Sequence, residues 1–142
     1  MQEEAITGTE NATRETMIKA VKEGNVATVK KLLNAGFALE KSIHSHGNMT
    51  LLMYAASSGS HDVISFLLSQ GADLSARDSV GQTALHHCCR SNSVKSLCLL
   101  ISNIRESEKK DLFEARSNGG VTPLIAAIQS SNLGIVAQCL KA

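Results

Sequence analysis

The stretch DSVGQTALHHCC at residues 78–89 decides the fold, because its TALH segment at 83–86 recurs along the chain. TLLM stands thirty-three residues earlier, at 50–53, and TPLI stands thirty-nine residues later, at 122–125. A weaker copy, ETMI, begins at residue 15. A period near 33 residues, with a turn and two short helices in each unit, is typical of a stacked repeat array.

The best-formed unit spans residues 50–78. It reads TLLMYAA at 50–56, VISFLL at 63–68 and GADLSA at 71–76. This pattern resembles the ankyrin repeat family, whose repeats carry a T-P-L-H-x-A motif at the start of the first helix. The resemblance covers roughly residue 13 to the end of the chain. It implies an all-α ankyrin-repeat solenoid of about four helix–turn–helix repeats, joined by β-turns and loops.

The residues around the recurring motif suit the ends and contacts of short helices. Thr50, Thr83 and Thr122 each precede an apolar segment, where a hydroxyl can cap free backbone N–H groups. Pro123, the only proline, stands at the first helical position, where its missing donor costs nothing. Each unit has an apolar face that is too small to bury alone, so only stacking creates a core.

The repeats follow a polar N-terminal segment. Residues 1–12 lack apolar periodicity and are predicted to be flexible, whereas residues 13–142 form the ankyrin repeat domain. The predicted repeats are 13–44, 45–77, 78–116 with an insertion at 104–115, and 117–142. The helices of the first three repeats are predicted near 13–23, 26–34, 50–58, 60–70, 83–91 and 93–103.

The insertion and the last helix each raise a question. The insertion contains RESEKK, whose charges alternate in sign. One interpretation is a solvated loop or an extra helical turn, and the other is a projection specific for a partner. The last helix carries few charges, whereas a terminal repeat normally has a polar outer face. We therefore expect the chain to be a fragment, or a module whose end contacts another domain.

The composition narrows the class of function. A hydrophobic fraction of 43% and a charged fraction of 19% suit a globular protein, and 142 residues suit one domain. The net charge of +1 offers no field to attract nucleic acid or an anionic membrane. No apolar run approaches the roughly 18 residues of a membrane span, and the N-terminus is no secretory signal. The sequence thus predicts neither nucleic-acid binding nor membrane insertion.

Four cysteines, Cys88, Cys89, Cys98 and Cys139, could in principle form two disulfides. The first two occupy the small-residue pair of their repeat, and the other two lie in second helices. We interpret all four as buried, reduced thiols that pack as small apolar groups. Together with the missing secretory signal, this predicts an intracellular location, in the cytoplasm or alternatively in the nucleus.

The contiguous HHCC at 86–89 is the most conspicuous candidate for metal chemistry. Successive helical residues point about 100° apart, so four consecutive side chains cannot converge on one zinc ion. The resemblance instead makes His86 the structural histidine of the T-P-L-H motif, and burial predicts an inert thiol at Cys88. The chain also lacks the common nucleotide-binding, zinc-protease and nucleophile-elbow motifs. We therefore predict no catalytic residue, no metal and no cofactor, and a small enzyme is the least favoured class.

The resemblance implies that the chain binds another protein or a peptide. In ankyrin repeat proteins the turn tips and first helices form a concave face that contacts a partner, so the chain would act as a scaffold or adaptor. Carried over position by position, the predicted partner-binding residues are Lys22, Glu23, His46, Met49, Tyr54, Ser57, Ser58, Arg77, Ser79, Val80, Gln82, His87, Arg90, Ser91, Arg116, Asn118, Val121, Gln129 and Ser130.

Four of these residues are the favoured anchors, namely Met49, Tyr54, Arg77 and Arg90. Tyrosine and arginine dominate interface energetics when they are desolvated, and truncating such a residue costs about 2 kcal/mol or more. The alternative is that the chain is the regulatory or targeting ankyrin segment of a larger multidomain enzyme or channel. In either case we expect a monomer or a part of a larger chain.

Overall fold

The computed structural model describes residues 14–35, 47–91 and 93–141. Within these ranges the chain forms nine helices, arranged as four helix pairs with one additional helix. The described helices are α1 (residues 14–22), α2 (Val26–Asn34), α3 (Leu51–Ser58), α4 (His61–Ser69), α5 (Ala84–Arg90), α6 (Val94–Ser102), α7 (Glu106–Phe113), α8 (Pro123–Gln129) and α9 (Leu133–Lys141).

The helices stack by class, as the all-α repeat solenoid requires. The first helices α3, α5 and α8 pack on one another in succession, and the second helices α4, α6 and α9 form a parallel succession beside them. Their shared interface buries large side chains completely, including Leu51, Leu67, Leu85 and Leu97. Each repeat therefore completes the core of its neighbour, and the prediction of an all-α ankyrin-type solenoid is confirmed.

The recurring threonines lie at the N-caps, one residue before the helices they begin. The Thr50 hydroxyl accepts a hydrogen bond from the Met53 backbone N–H at 3.3 Å, and Thr122 accepts one from Ile125 at the same distance. Thr83 differs, because its hydroxyl bonds instead to a ring nitrogen of His86 at 3.0 Å. The predicted bounds of α3 and α5 are close, but they include Thr50 and Thr83 as helical.

The insertion forms a helix. Residues Glu106–Phe113 make up α7. On its surface Glu106 and Lys109, which lie about one helical turn apart, form an ion pair at 2.9 Å. Ile104, Leu112 and Ala115 are buried and anchor the segment to the core. The insertion is therefore a short, fixed helix with a charged outer side. Whether it contacts a partner stays a prediction.

The last repeat exposes several apolar side chains, and one of them stands at a position that is buried in earlier repeats. Ile128 is 56% exposed, whereas the equivalent residues Ala56 and Cys89 are completely buried. Leu133 and Leu140 on α9 are more exposed still. The outer face of α8 and α9 thus has the composition of a stacking face.

Candidate interaction surface

Two tight turns of the same design connect the later repeats. In the first turn the Asp78 N–H donates to the Gln82 carbonyl at 2.9 Å, and the Gly81 N–H donates to the Asp78 carbonyl at 3.0 Å. The turn at 117–121 repeats both bonds at 2.9 Å. The Asp78 carboxylate also accepts bonds from the Val80 and Gln82 N–H groups, at 3.0 and 2.9 Å. Each turn is therefore held by several local hydrogen bonds.

Backbone hydrogen bonds also join one turn to the next. The Ser79 N–H donates to the Gly47 carbonyl at 2.8 Å, and the Asn118 N–H donates to the Val80 carbonyl at 2.8 Å. The Asn118 side-chain amide adds a bond to the Ser79 carbonyl at 3.3 Å. We call residues 47–49, 78–82 and 117–121 the tip row. Because its members are bonded in series, the tip row has a fixed spacing between repeats.

An arginine side chain hydrogen-bonds to the backbone of each of these two turns. Arg77 donates from Nη1 to the Gly81 carbonyl at 3.1 Å and to the Arg116 carbonyl at 2.8 Å. Arg116 makes the equivalent bond to the Gly120 carbonyl at 3.2 Å. Both guanidinium groups are thus partly engaged in holding the turns, which weakens the case for Arg77 as a binding anchor.

His86 ties the third repeat to the fourth. Its Nδ1 accepts a bond from the Thr83 N–H at 3.2 Å, and its Nε2 lies 2.7 Å from the Val121 carbonyl. A carbonyl only accepts hydrogen bonds, so the proton of the neutral ring is on Nε2. The structural role that the resemblance implied for His86 is present in the structure. The ring is completely buried.

His87 is held by a carboxylate beneath the tip row. Its Nε2 lies 2.8 Å from the Asp78 Oδ2 atom, and the Asp78 side chain is almost completely buried. Burial lowers the pKa of His87, against the opposing effect of Asp78. Burial also lowers the pKa of His86, against its bond to the Val121 carbonyl.

These lowered pKa values predict a loss of stability in mild acid. Unfolded histidine titrates near pKa 6.5, so below about that pH the unfolded chain binds protons that folded His86 and His87 resist. The free energy of unfolding is therefore expected to decrease from pH 7.5 to pH 5.5. Urea titrations at several pH values measure the slope. His86→Met should reduce the slope, and an unchanged slope in that variant would remove His86 as a cause.

Three predicted contact residues are buried, which corrects their assignment. Tyr54 is 5% exposed, Gln82 is 7% exposed and Ser91 is 8% exposed. Tyr54 lies on α3, and Lys22 Nζ lies 5.9 Å from the centroid of its ring. Ser91 uses its hydroxyl to bond the Cys88 carbonyl at 2.7 Å. All three side chains are therefore largely inaccessible in this structure.

The other predicted residues fall into three groups. His46 lies outside the described residues. Met49, His87, Val121 and Ser130 are half-buried. The exposed members are Lys22, Glu23, Ser57, Ser58, Arg77, Ser79, Val80, Arg90, Arg116, Asn118 and Gln129.

Sequence reasoning missed a groove between the loop at 71–77 and α7. It has a volume of about 660 Å³, and its lining includes Leu74, Arg105, Glu108, Asp111 and Leu112. It mixes apolar and charged groups of both signs. The only sequence signal for it is the insertion at 104–115, which supplies one wall.

The HHCC segment divides among separate contacts. His86, His87 and Cys89 bond respectively to Val121, Asp78 and Cys139. Across 14–35, 47–91 and 93–141, no group of three or more histidine, cysteine or acidic side chains could hold a metal ion.

Cys98 is exposed, which corrects the prediction that all four cysteines are buried. Over the same ranges, no helix has the length and apolar character to cross a membrane.

Comparison with known proteins identifies the family. Residues 16–111 match the family described as ankyrin repeats (3 copies). Because this match covers more than half of the chain, the protein belongs to the ankyrin repeat family. Ankyrin repeats generally mediate protein–protein interaction, and ankyrin repeat domains are typically non-catalytic.

Several curated relatives are named as enzymes. The chain is 32% identical over 101 residues to "Probable E3 ubiquitin-protein ligase XBOS33" of Oryza sativa subsp. japonica, covering 69% of this chain and 19% of that protein. It is 33% identical over 123 residues to "Tyrosine-protein kinase HTK16" of Hydra vulgaris, covering 86% and 15%. It is 31% identical over 114 residues to "Phosphocholine transferase AnkX" of Legionella pneumophila, covering 80% and 12%. The chain thus spans less than a fifth of the length of these three relatives.

Proposed function

We propose that the chain is a non-catalytic scaffold or adaptor that binds a partner protein on its concave face. This face consists of the tip row and the exposed sides of the first helices. The observation that carries the proposal is the series of backbone hydrogen bonds along the tip row. The Ser79 N–H donates to the Gly47 carbonyl, and the Asn118 N–H donates to the Val80 carbonyl. A surface whose spacing is fixed before binding loses little conformational entropy when a partner docks.

Val80 and Arg90 are the anchors best supported by their surroundings. Val80 is 51% exposed at a turn tip, so its apolar side chain is accessible to a partner on the proposed face. The Arg90 side chain is exposed and has no hydrogen bond or ion pair to another described residue. Its guanidinium can therefore engage a partner at no cost to the fold, unlike that of Arg77.

A capture experiment with a matched control tests this surface. Proteins captured by the wild-type chain are identified by mass spectrometry, and affinity is then titrated for Arg90→Ala, Val80→Ser and Arg105→Ala. Arg105 is an exposed arginine at the groove beside α7, away from the tip row. We expect the first two variants to lose about tenfold or more in affinity, with Arg105→Ala close to wild type. A loss of affinity in Arg105→Ala alone would indicate that the partner binds in the groove and would contradict the proposed surface.

The second candidate is a regulatory or targeting segment of a larger enzyme or channel. It is favoured by the small share of each named relative that the chain spans and by the exposed apolar face of α8 and α9. On this proposal the chain positions a catalytic domain, and the chemistry belongs to that domain. The sequence of the full-length transcript tests it, because an open reading frame that stops at residue 142 would contradict it.

The proposal includes an intracellular location, in the cytoplasm or alternatively in the nucleus. It rests on four cysteines that are free in the structure, since thiols persist in reducing compartments. A fluorescent fusion that accumulates outside the cell would contradict it.

A further inference from the structure

Two of the four cysteines lie close together across a repeat boundary. Cys89 on α5 of the third repeat and Cys139 on α9 of the last repeat have their Sγ atoms 3.5 Å apart. Both thiols are free. Cys89 is completely buried, and Cys139 is 8% exposed. The sequence gives no hint of this pairing, because the two residues are fifty positions apart.

We propose that Cys89 and Cys139 form an oxidation-sensitive pair, which a hydroperoxide converts to a disulfide that locks the last repeat onto the third. A disulfide has an S–S bond of about 2.05 Å, so the two sulfur atoms must approach by roughly 1.5 Å. That shift is small for α9, whose Leu133 and Leu140 face outward rather than into a neighbouring repeat.

The surroundings assign a different role to each sulfur. Either sulfur can donate the hydrogen bond between them, and the deeper burial of Cys89 disfavours its thiolate. Cys139 is also the member with some exposure. Cys139 is therefore the nucleophile that meets the oxidant, and Cys89 is the resolving thiol held behind it.

The chemistry balances in two steps. The Cys139 thiolate attacks one oxygen of hydrogen peroxide, the O–O bond breaks, and water leaves with the thiol proton, which produces a sulfenic acid. Cys89 then gives up its proton and attacks the Cys139 sulfur. The S–S bond forms, the S–O bond breaks and a second water leaves. The two thiols lose two electrons and the peroxide gains them, so no further reactant is needed.

The remaining cysteines provide internal controls. Cys88 neighbours Cys89 on α5, but burial raises its pKa to about 12, and its pKa is lowered only in part by a hydrogen bond with Ser91. Cys98 is exposed on α6, so an oxidant reaches it directly. If exposure alone decided the chemistry, Cys98 would react and the buried pair would not.

The test treats the purified chain with hydrogen peroxide and maps the products by mass spectrometry. We expect four free thiols to become two or fewer, with a disulfide that links the tryptic peptides 78–90 and 117–141. Cys88→Ala and Cys98→Ala should keep this link, whereas Cys89→Ala and Cys139→Ala should abolish it. Oxidation should raise the Tm of the wild type by about 5 °C or more, and should leave the Tm of Cys139→Ala unchanged.

Two results would overturn the proposal. One is oxidation of Cys98 while Cys89 and Cys139 remain free thiols. The other is a linked peptide that survives in Cys89→Ala, which would assign the bond to Cys88. The mapping of the wild-type chain needs no substitution, so a variant that fails to fold does not block the test.

Discussion

Replacing His86 with alanine is expected to lower the free energy of unfolding by about 3 kcal/mol. The substitution removes a completely buried ring and leaves a cavity. It also leaves the Val121 carbonyl and the Thr83 N–H without their bonds to Nε2 and Nδ1. Urea unfolding of the variant and the wild type measures the difference. A loss below about 1 kcal/mol would contradict the role of His86 as a bond between repeats.

The preceding repeat provides a partial replacement for this histidine. Met53 is the equivalent residue, and its Sδ atom accepts a bond from the Thr50 N–H at 3.5 Å. His86→Met should therefore keep the volume and an acceptor for Thr83, and lose only the bond to Val121. We expect it to cost about 1 to 1.5 kcal/mol. His61→Ala is the matched control, because His61 is exposed and its one ion pair within the described part of the chain is with the adjacent Asp62. It should stay within about 0.5 kcal/mol of the wild type.

The sequence predicted the parts of the fold that depend on spacing. The period fixed the order of the helix pairs, and the threonine before each first helix marked where Leu51, Ala84 and Pro123 begin their helices. These features are local, because a capping hydroxyl and the first turn of its helix are three residues apart. They could therefore be derived from one repeat without knowledge of its neighbours.

Burial at the predicted surface was harder to derive, because it depends on how closely neighbouring helices pack. The resemblance placed Tyr54 among the contact residues of the first helices, yet its side chain is buried. Cys98 was wrongly predicted to be buried, although its equivalents Ser65 and Ala137 are small or polar. Both of these are exposed in the structure, so a comparison of the three second helices would have indicated the exposure of Cys98.

The arginines of the turns show a signal that was present but was interpreted differently. Arg77 precedes Gly81 by four residues, as Arg116 precedes Gly120, and both arginines bond the glycine carbonyl. An arginine repeated at the same turn position indicates a structural role as readily as a binding role. No sequence pattern indicated the contact between Cys89 and Cys139. Their sulfur atoms come together only through three-dimensional packing.

Gly81→Ala is expected to destabilise the chain by about 2 to 3 kcal/mol, for two reasons that a control can separate. Gly81 has a left-handed backbone, with φ at 80°, which costs a residue with a Cβ about 1 kcal/mol. A Cβ at this position would also lie 2.7 Å from Asn118 Oδ1 and 3.0 Å from Asn118 N. The backbone nitrogen belongs to the next turn, so the contact is relieved only if the two turns move apart.

Gly120→Ala separates these two costs. Gly120 occupies the equivalent place in the next turn, with φ at 78°, but a Cβ there would meet no atom within 4 Å. We therefore expect Gly120→Ala to cost about 1 kcal/mol, and the excess loss in Gly81→Ala to measure the contact between turns. Urea unfolding of both variants gives this difference. Equal losses would show that the turns adjust freely to one another, and the fixed spacing of the tip row, on which the proposed binding surface depends, would then be wrong.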